Sequence, residues 1–248
     1  MELPTSNVPA STADPKFMIL FGKQKSGKTT ILSRLPSNLI LDFEEGTDYM
    51  DALAIKMDSF ERLVEVKQAL EDKMTLTKVK PYKRITFDTA TTLEEMLMPY
   101  AITLYKATPM GKDFKGTSLR VLPQGAGYLY EREAFKNVIF GFQKYCDTVI
   151  LSGHVSDKQV GKEGKEVWEL ELDLTGKLKR IMGAKADAIG LVYRKKNQCI
   201  ISFKGGSEAI VESRIKHLTN RDIVVSESEG EGEDIVITTY WDRIFKNL

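Results

Sequence analysis

The chain has 248 residues, of which 42% are hydrophobic and 29% charged, which fits one large α/β domain with a substantial core and leaves little room for a second full domain. The net charge of +1 indicates no particular partner. The two cysteines, Cys146 and Cys199, lie in or beside apolar stretches, which predicts buried thiols rather than a metal site or a disulfide framework. There is no signal peptide and no apolar run as long as a membrane span, so we expect a cytoplasmic protein without membrane contact.

Two regions of unequal size follow from the pattern along the chain. Residues 1–15 are polar, contain three prolines and show no periodicity, which predicts a flexible N-terminal arm. Residues 16–248 are predicted to form a single domain.

A phosphate-binding loop follows the first predicted strand, residues 17–21, and precedes a helical pattern that runs to Leu35. The intervening residues fit G-x-x-x-x-G-K-[ST], in which backbone N–H groups and a helix N-terminus hold phosphate oxygens. In this pattern Lys28 reaches the β- and γ-phosphates and the Thr29 hydroxyl ligates Mg²⁺. A glycine turn that only caps a helix has no use for Lys-Thr at this spacing. The predicted nucleotide-binding residues are Gly22, Lys23, Gln24, Lys25, Ser26, Gly27, Lys28, Thr29 and Thr30.

Acidic residues end the next two strongly apolar strands. Residues 38–41 lead into Asp42-Phe43-Glu44-Glu45, and residues 84–87 deliver Asp88. Because open α/β sheets bind ligands at the carboxyl ends of their strands, these carboxylates are expected at the nucleotide site. Asp88 is the predicted second residue on the metal side, and the alternative is a simple helix N-cap.

The remaining elements up to the middle of the chain are predicted from periodicity. We expect a short strand at 52–57, helices at 59–74, 92–106 and 128–146, and a strand at 148–152. The last of these ends in Gly153-His154, where His154 is placed to sense the γ-phosphate or else has a structural role.

Two long stretches rich in glycine and basic residues, 107–127 and 155–176, are predicted as functional loops. Their cations can track a phosphate backbone, and Trp168 offers a stacking face. A surface hairpin is the alternative for 155–176. The cations of the two stretches are Lys112, Lys115, Arg120, Lys158, Lys162 and Lys165, and a predicted helix after them carries Lys177, Lys179 and Arg180.

The C-terminal third is predicted to be mostly β-structure. We expect strands at 186–193, 198–203 and 209–213, a hairpin turn at 204–207 between the last two, a strand at 235–239 and an amphipathic helix at 240–248. Residues 226–234 hold five acids and no base, so removing them from the net charge of +1 leaves +6 on the remainder. This acidic segment is predicted as a solvated loop, and the alternative is a mimic of nucleic acid that competes for a basic groove.

The order of these motifs resembles a known class. The P-loop, D-F-E-E after the next strand, I-T-F-D, Q-G-A-G-Y between two helices and L-S-G-H are similar to phage-encoded nucleotide-binding ATPases of the RecA-like class, a group that includes single-strand annealing proteins. The resemblance spans residues 16–204, and only the P-loop is highly specific. It implies a RecA-like P-loop NTPase fold of class α/β, with a mostly parallel central sheet flanked by helices and added antiparallel strands toward the C-terminus.

The resemblance also implies roles and partners. ATP and Mg²⁺ are the expected cofactors, Glu44 is the expected general base with Glu45 as the reserve, and Lys28, Asp88 and His154 complete the catalytic set. Residues 107–127 and 155–176 take the places of the two DNA-binding loops, and Lys177, Lys179 or Arg180 supplies a cation to a neighbouring subunit's nucleotide. The expected partners are single-stranded DNA, further copies of the chain in a ring or filament, and a single-strand binding protein.

Other nucleotide-dependent activities remain open on the sequence alone. A GTPase is disfavoured because no glycine follows Asp88 closely and residues 219–222 lack the guanine-specific pattern Asn-Lys-x-Asp. A nucleotide or small-molecule kinase uses the same phosphate loop, although no arginine cluster suggests a lid. A non-catalytic, nucleotide-gated loader or adaptor of a replication protein is the third alternative.

Overall fold

The computed structural model describes residues 3, 6, 13–162, 165–205, 211–230 and 232–248, without the side chains of 157–162, 165–169 and 233. Most of the predicted N-terminal arm therefore lies outside the described residues. None of the helices in the described part has the length and apolarity that crossing a membrane requires.

The described strands form a single eleven-stranded sheet. Its main path runs in the order β11-β10-β8-β7-β1-β5-β4-β2-β3, while β6 pairs with β5 and β9 with β7. Strands β7, β1, β5, β4, β2 and β3 are mutually parallel, and the others pair antiparallel. The strands are β1 (Phe17–Gly22), β2 (Asn38–Asp42), β3 (Ala54–Lys56), β4 (Arg84–Asp88), β5 (Thr148–Lys162), β6 (Lys165–Leu172), β7 (Ala188–Lys195), β8 (Gln198–Ser202), β9 (Glu212–Ser213), β10 (Asp222–Glu229) and β11 (Val236–Thr239).

Helices cover both faces of this sheet. Alternate residues of β1 enter two separate cores, Phe17, Ile19 and Phe21 on one face and Met18 and Leu20 on the other. Burial on both faces is the physical reason that the strand is a continuous apolar run. The helices of the described part are α1 (Lys28–Ser33), α2 (Phe60–Thr77), α3 (Ala90–Met96), α4 (Met98–Lys106), α5 (Gly127–Phe142) and α6 (Leu178–Lys185).

The predicted fold class is confirmed in its architecture, α/β with a mostly parallel central sheet, flanking helices and antiparallel strands toward the C-terminus. The predicted N-cap of α2 is also confirmed, because the Ser59 hydroxyl accepts a hydrogen bond from the Arg62 N–H. Cys146 and Cys199 are buried free thiols, as expected.

Several predicted elements have different boundaries. The helix expected at 92–106 is two helices, α3 and α4, that meet at Leu97, and Pro99 lies in the first turn of α4, where a proline is tolerated. The stretch 155–176 is mainly the second half of β5 and all of β6, so the hairpin alternative was correct and the loop prediction wrong. The prediction was misled by the charges and glycines and overlooked the alternation of apolar and polar residues through 168–172.

The acidic segment is also not a loop throughout. Ser226–Glu229 belong to β10, where Glu227 accepts hydrogen bonds from Gln198 of β8 and from Tyr240. A short 3₁₀ turn, Gly232–Asp234, follows, and Glu231 lies outside the described residues. Cross-strand donors therefore allow these acids to sit in a strand.

Two further C-terminal predictions are wrong. Strand β9 pairs with β7 rather than β8, so no hairpin joins β8 to β9, and residues 206–210 of that stretch lie outside the described residues. The expected terminal helix is only a 3₁₀ turn at Trp241–Arg243. Trp241, Ile244 and Phe245 all enter the core, and this spacing imitates a helical stripe.

Candidate functional site

The phosphate loop lies at the carboxyl edge of the parallel sheet, between β1 and α1. Gly22 ends β1 so close to β7 that a β-carbon built there would lie 2.3 Å from the Val192 carbonyl oxygen, which only glycine permits. Gly27 has a φ of +94°, in the left-handed region that favours glycine, and α1 begins at the next residue. The loop therefore presents the N-terminus of α1 to the space above the sheet.

Lys28 is a buried cation inside this loop. Its side-chain ammonium donates hydrogen bonds to the Gly22 and Lys23 carbonyl oxygens, both at 3.0 Å, and the residue is 5% exposed. Burial lowers the pKa of Lys28, and the negative charges of Asp88 and Glu44 oppose this shift. A phosphate group would give this desolvated cation a stronger acceptor than neutral carbonyls.

Thr29 and Asp88 meet beside Lys28. The Thr29 hydroxyl donates to Asp88 Oδ2 at 2.6 Å, and the second oxygen, Oδ1, is buried and has no hydrogen-bond partner among the described residues. Burial raises the pKa of Asp88, against the Thr29 hydrogen bond and the Lys28 charge. A hydroxyl and an under-coordinated carboxylate are suitable Mg²⁺ ligands, so the residues present fit a metal that is shared with phosphate.

Asp42 shapes the turn that carries Glu44. Its carboxylate accepts hydrogen bonds from the N–H groups of Glu44, Gly46 and Thr47 and from the Thr47 hydroxyl. Burial alone would raise the pKa of Asp42, but these hydrogen bonds outweigh it and hold the pKa below its usual value. Asp42 is thereby committed to the turn, which places Glu44 beside β4 and β5.

Glu44 sits in a polar shell at the same edge. Glu44 Oε1 accepts from the hydroxyls of Thr89 at 2.5 Å and Thr92 at 2.8 Å, and Oε2 lies 3.1 Å from His154 Nε2. Burial would raise the pKa of Glu44, but the hydrogen bonds from the two threonines and His154 outweigh it and lower the pKa. Glu44 and Glu45 are both exposed, but Glu45 has a φ of +57° and does not line the cavity that Glu44 lines.

A cavity of about 570 Å³ joins these groups. Of the residues predicted from the sequence, it is lined by Gln24, Lys25, Gly27, Lys28, Thr29, Thr30, Glu44, Asp88 and His154. Sequence reasoning missed Thr89, Thr92 and Arg194. The two threonines follow Asp88 closely, which was an available signal, whereas Arg194 reaches the cavity only because β7 lies next to β1.

The predicted DNA-binding residues are not gathered in one place by the described structure. Lys112 and Lys115 are exposed. Arg120 instead forms an ion pair with Glu131, at 3.2 Å between Nε and Oε2. Lys158, Lys162 and Lys165 lie on the β5–β6 hairpin, and their side chains are outside the described part.

The cations predicted to act on a neighbouring subunit lie at the start of α6. Lys177 and Arg180 are exposed, and Lys179 pairs with Glu171 of β6. None of the three lines the nucleotide cavity of its own chain within the described residues.

Replacing Arg120 with Ala is expected to lower the free energy of unfolding by about 1–2 kcal/mol, since the Glu131 carboxylate, only 4% exposed, loses its cation. The partial exposure of Arg120 reduces this cost below that of a fully buried pair. Adding Glu131→Gln should recover most of the loss, and the exposed Lys112→Ala should be neutral. Urea unfolding measures all of these variants, and equal midpoints for wild type and Arg120→Ala would contradict the assignment.

A comparison with known protein families agrees with a nucleotide site of this type. A family model described as an AAA domain matches residues 14–224. None of the curated protein sequences matches this chain. Among solved structures, the chain is similar to the RadB recombinase, with a TM-score of 0.41 and 12% sequence identity over 77% of this chain and 81% of that chain.

Proposed function

The chain belongs to the AAA-domain family of P-loop NTPases, and from that premise we propose that it hydrolyses ATP with Mg²⁺ and acts on single-stranded DNA in phage recombination, annealing or replication. The observation that carries the hydrolytic part is the placement of Glu44. Its carboxylate lines the same cavity as Lys28, Thr29 and Asp88, and three hydrogen-bonding side chains orient it.

The proposed reaction is in-line attack of water on the γ-phosphate. The water oxygen forms a bond to γ-phosphorus, the bond from that phosphorus to the β–γ bridging oxygen breaks, and the water proton passes to Glu44. Lys28 stabilises the negative charge that spreads over the phosphate oxygens. Thr29 and Asp88 would hold Mg²⁺, which supplies further positive charge to the β- and γ-phosphates.

The polar shell of Glu44 suits a base of this kind. Its lowered pKa keeps the carboxylate ionised at neutral pH, so it accepts a hydrogen bond from the attacking water and orients it, while the same shift makes it a weaker base than an ordinary glutamate. The Thr89 and Thr92 hydroxyls fix Oε1, which leaves Oε2 for the water and for His154. His154 would report the state of the γ-phosphate through this contact.

The proposed action on DNA is supported by the continuity of β5. This strand carries His154 at the nucleotide cavity and then continues past its pairing with β1 as the β5–β6 hairpin, whose sequence holds Lys158, Lys162 and Lys165. Lys112 and Lys115 are further exposed cations for a phosphate backbone. Copies of the chain would assemble with the nucleotide between them, and Lys177 or Arg180 would reach the neighbour's phosphates. Lys179 would first have to leave Glu171.

The test is ATP turnover with and without single-stranded DNA, with molecular mass measured on the same samples. We expect turnover to rise severalfold with DNA and the mass to increase when ATP is present. Turnover without any response to nucleic acid would contradict the DNA proposal and favour the kinase or the nucleotide-gated adaptor.

A further inference from the structure

Arg194 belongs to the opposite side of the phosphate loop from the acidic residues. Strand β1, which leads into the loop, lies between β5 and β7. Glu44, Asp88 and His154 all come from the β5 side, at the ends of β2, β4 and the sheet-paired part of β5. Arg194 comes from β7, so it approaches the loop from the other direction.

The guanidinium of Arg194 lies against the loop backbone. A β-carbon built on Gly27 would lie 2.9 Å from Arg194 Nε and 3.0 Å from Nη2, and Arg194 lines the nucleotide cavity together with Lys28 and Thr29. Arg194 makes no ion pair with any carboxylate in the part of the chain that the structure describes. Its charge is therefore available to an anion in the cavity.

A second, smaller cavity of about 170 Å³ continues on this side. It shares Thr30 and Arg194 with the nucleotide cavity and reaches Asn197 in the β7–β8 turn and Ser228 of β10. Its lining mixes apolar side chains with hydroxyl and amide groups, as the lining of small-molecule sites commonly does. The space beyond Arg194 is thus suited to the part of a nucleotide that follows the phosphates.

The direction of a bound triphosphate follows from these positions. The γ-phosphate must lie near Glu44 and Asp88, because the attacking water and the metal are needed there. The rest of the nucleotide then runs across the loop toward Thr30 and β7. This path leads past Arg194 at the level of the α- and β-phosphates.

We propose that Arg194 is a second cation of the nucleotide site, supplied by the same chain, that binds the α- and β-phosphates and so contributes equally to the binding of ATP and ADP. The inference rests on the proposed function and deepens it. A planar guanidinium with several N–H donors suits two phosphate oxygens better than a lysine ammonium does.

The experiment measures Kd for Mg-ATP and Mg-ADP by equilibrium titration of the full chain and of Arg194→Ala, Arg194→Lys, Lys28→Ala and Lys195→Ala. Lys195 is the matched control, because it is an exposed cation on the same strand whose side chain points to the opposite face. We expect Arg194→Ala to weaken ATP and ADP by a similar factor of about tenfold or more, which is the size of one charge-assisted hydrogen bond. Arg194→Lys should be intermediate and Lys195→Ala within twofold of wild type.

Three results would overturn the assignment. The first is that Arg194→Ala keeps wild-type affinity for both nucleotides while Lys28→Ala loses it. The second is that Arg194→Ala weakens the binding of ATP but not of ADP. The third is that Lys195→Ala weakens binding as much as Arg194→Ala does. Each of them leaves the proposed function standing. A wild-type chain that binds neither nucleotide would overturn both this inference and the proposed function.

Discussion

Glu44→Gln is expected to lower ATP turnover by a factor of about 10²–10⁴, the usual contribution of a general base, while the affinity for ATP stays within a fewfold of wild type. Glutamine still offers an oxygen to the hydroxyls of Thr89 and Thr92, so the local hydrogen bonds persist. It cannot accept the proton of the attacking water. Phosphate release under saturating ATP gives kcat, and equilibrium titration gives the affinity.

Glu45→Gln is the matched control for this experiment. The two glutamates are adjacent and both exposed, but only Glu44 lines the nucleotide cavity. We expect its turnover to equal that of the wild type, which would resolve the choice between the two residues that the sequence left open. Preserved turnover in Glu44→Gln together with lost turnover in Glu45→Gln would contradict the assignment of the base.

Lys28→Ala is expected to weaken ATP binding by a factor of about 10² or more and to abolish measurable turnover. Lys28 is buried, its ammonium donates to two loop carbonyls, and the residue lines the cavity where the β- and γ-phosphates would lie. Losing two charge-assisted hydrogen bonds to phosphate gives an effect of this size. The affinity is measured by titration with ATP, monitored by circular dichroism or with a fluorescent nucleotide.

Lys23→Ala controls for a general loss of positive charge in the loop. Its side chain is exposed and outside the cavity lining, and only its carbonyl oxygen contacts Lys28. We expect Lys23→Ala to bind ATP with wild-type affinity. Both Lys23→Ala and Lys28→Ala should unfold at the same midpoint as the wild type. Equal affinity of Lys28→Ala and Lys23→Ala for ATP would show that Lys28 does not bind phosphate.

The parts of the fold that are local in sequence could be predicted. Residues 17–30 specify strand, loop and helix by themselves, because an apolar run, two glycines and Lys-Thr each have a separate physical role there. Asp88 was found for a similar reason, since it directly ends a buried strand. The positions of Glu44 and His154 at the same edge also follow from the strands, because Glu44 comes just after β2 ends and His154 is the last residue of β5 that pairs with β1.

The parts that depend on pairing between distant strands could not be predicted. Strand β10 carries acids that look like a loop until Gln198 and Tyr240 are seen to donate to Glu227. Arg120 looks like a free cation until α5 brings Glu131 to it. Arg194 reaches the phosphate loop only because β7 pairs with β1, and local sequence patterns do not predict the order of strands in a sheet.

The most direct test of the central claim is to count the products that wild-type protein forms from Mg-ATP when water is the only phosphate acceptor. The account predicts ADP and inorganic phosphate in equal amounts, formed at a rate that Glu44→Gln suppresses. No phosphate release from ATP in water, with ADP appearing only after a nucleotide or other small acceptor is added, would contradict hydrolysis and identify the chain as a kinase.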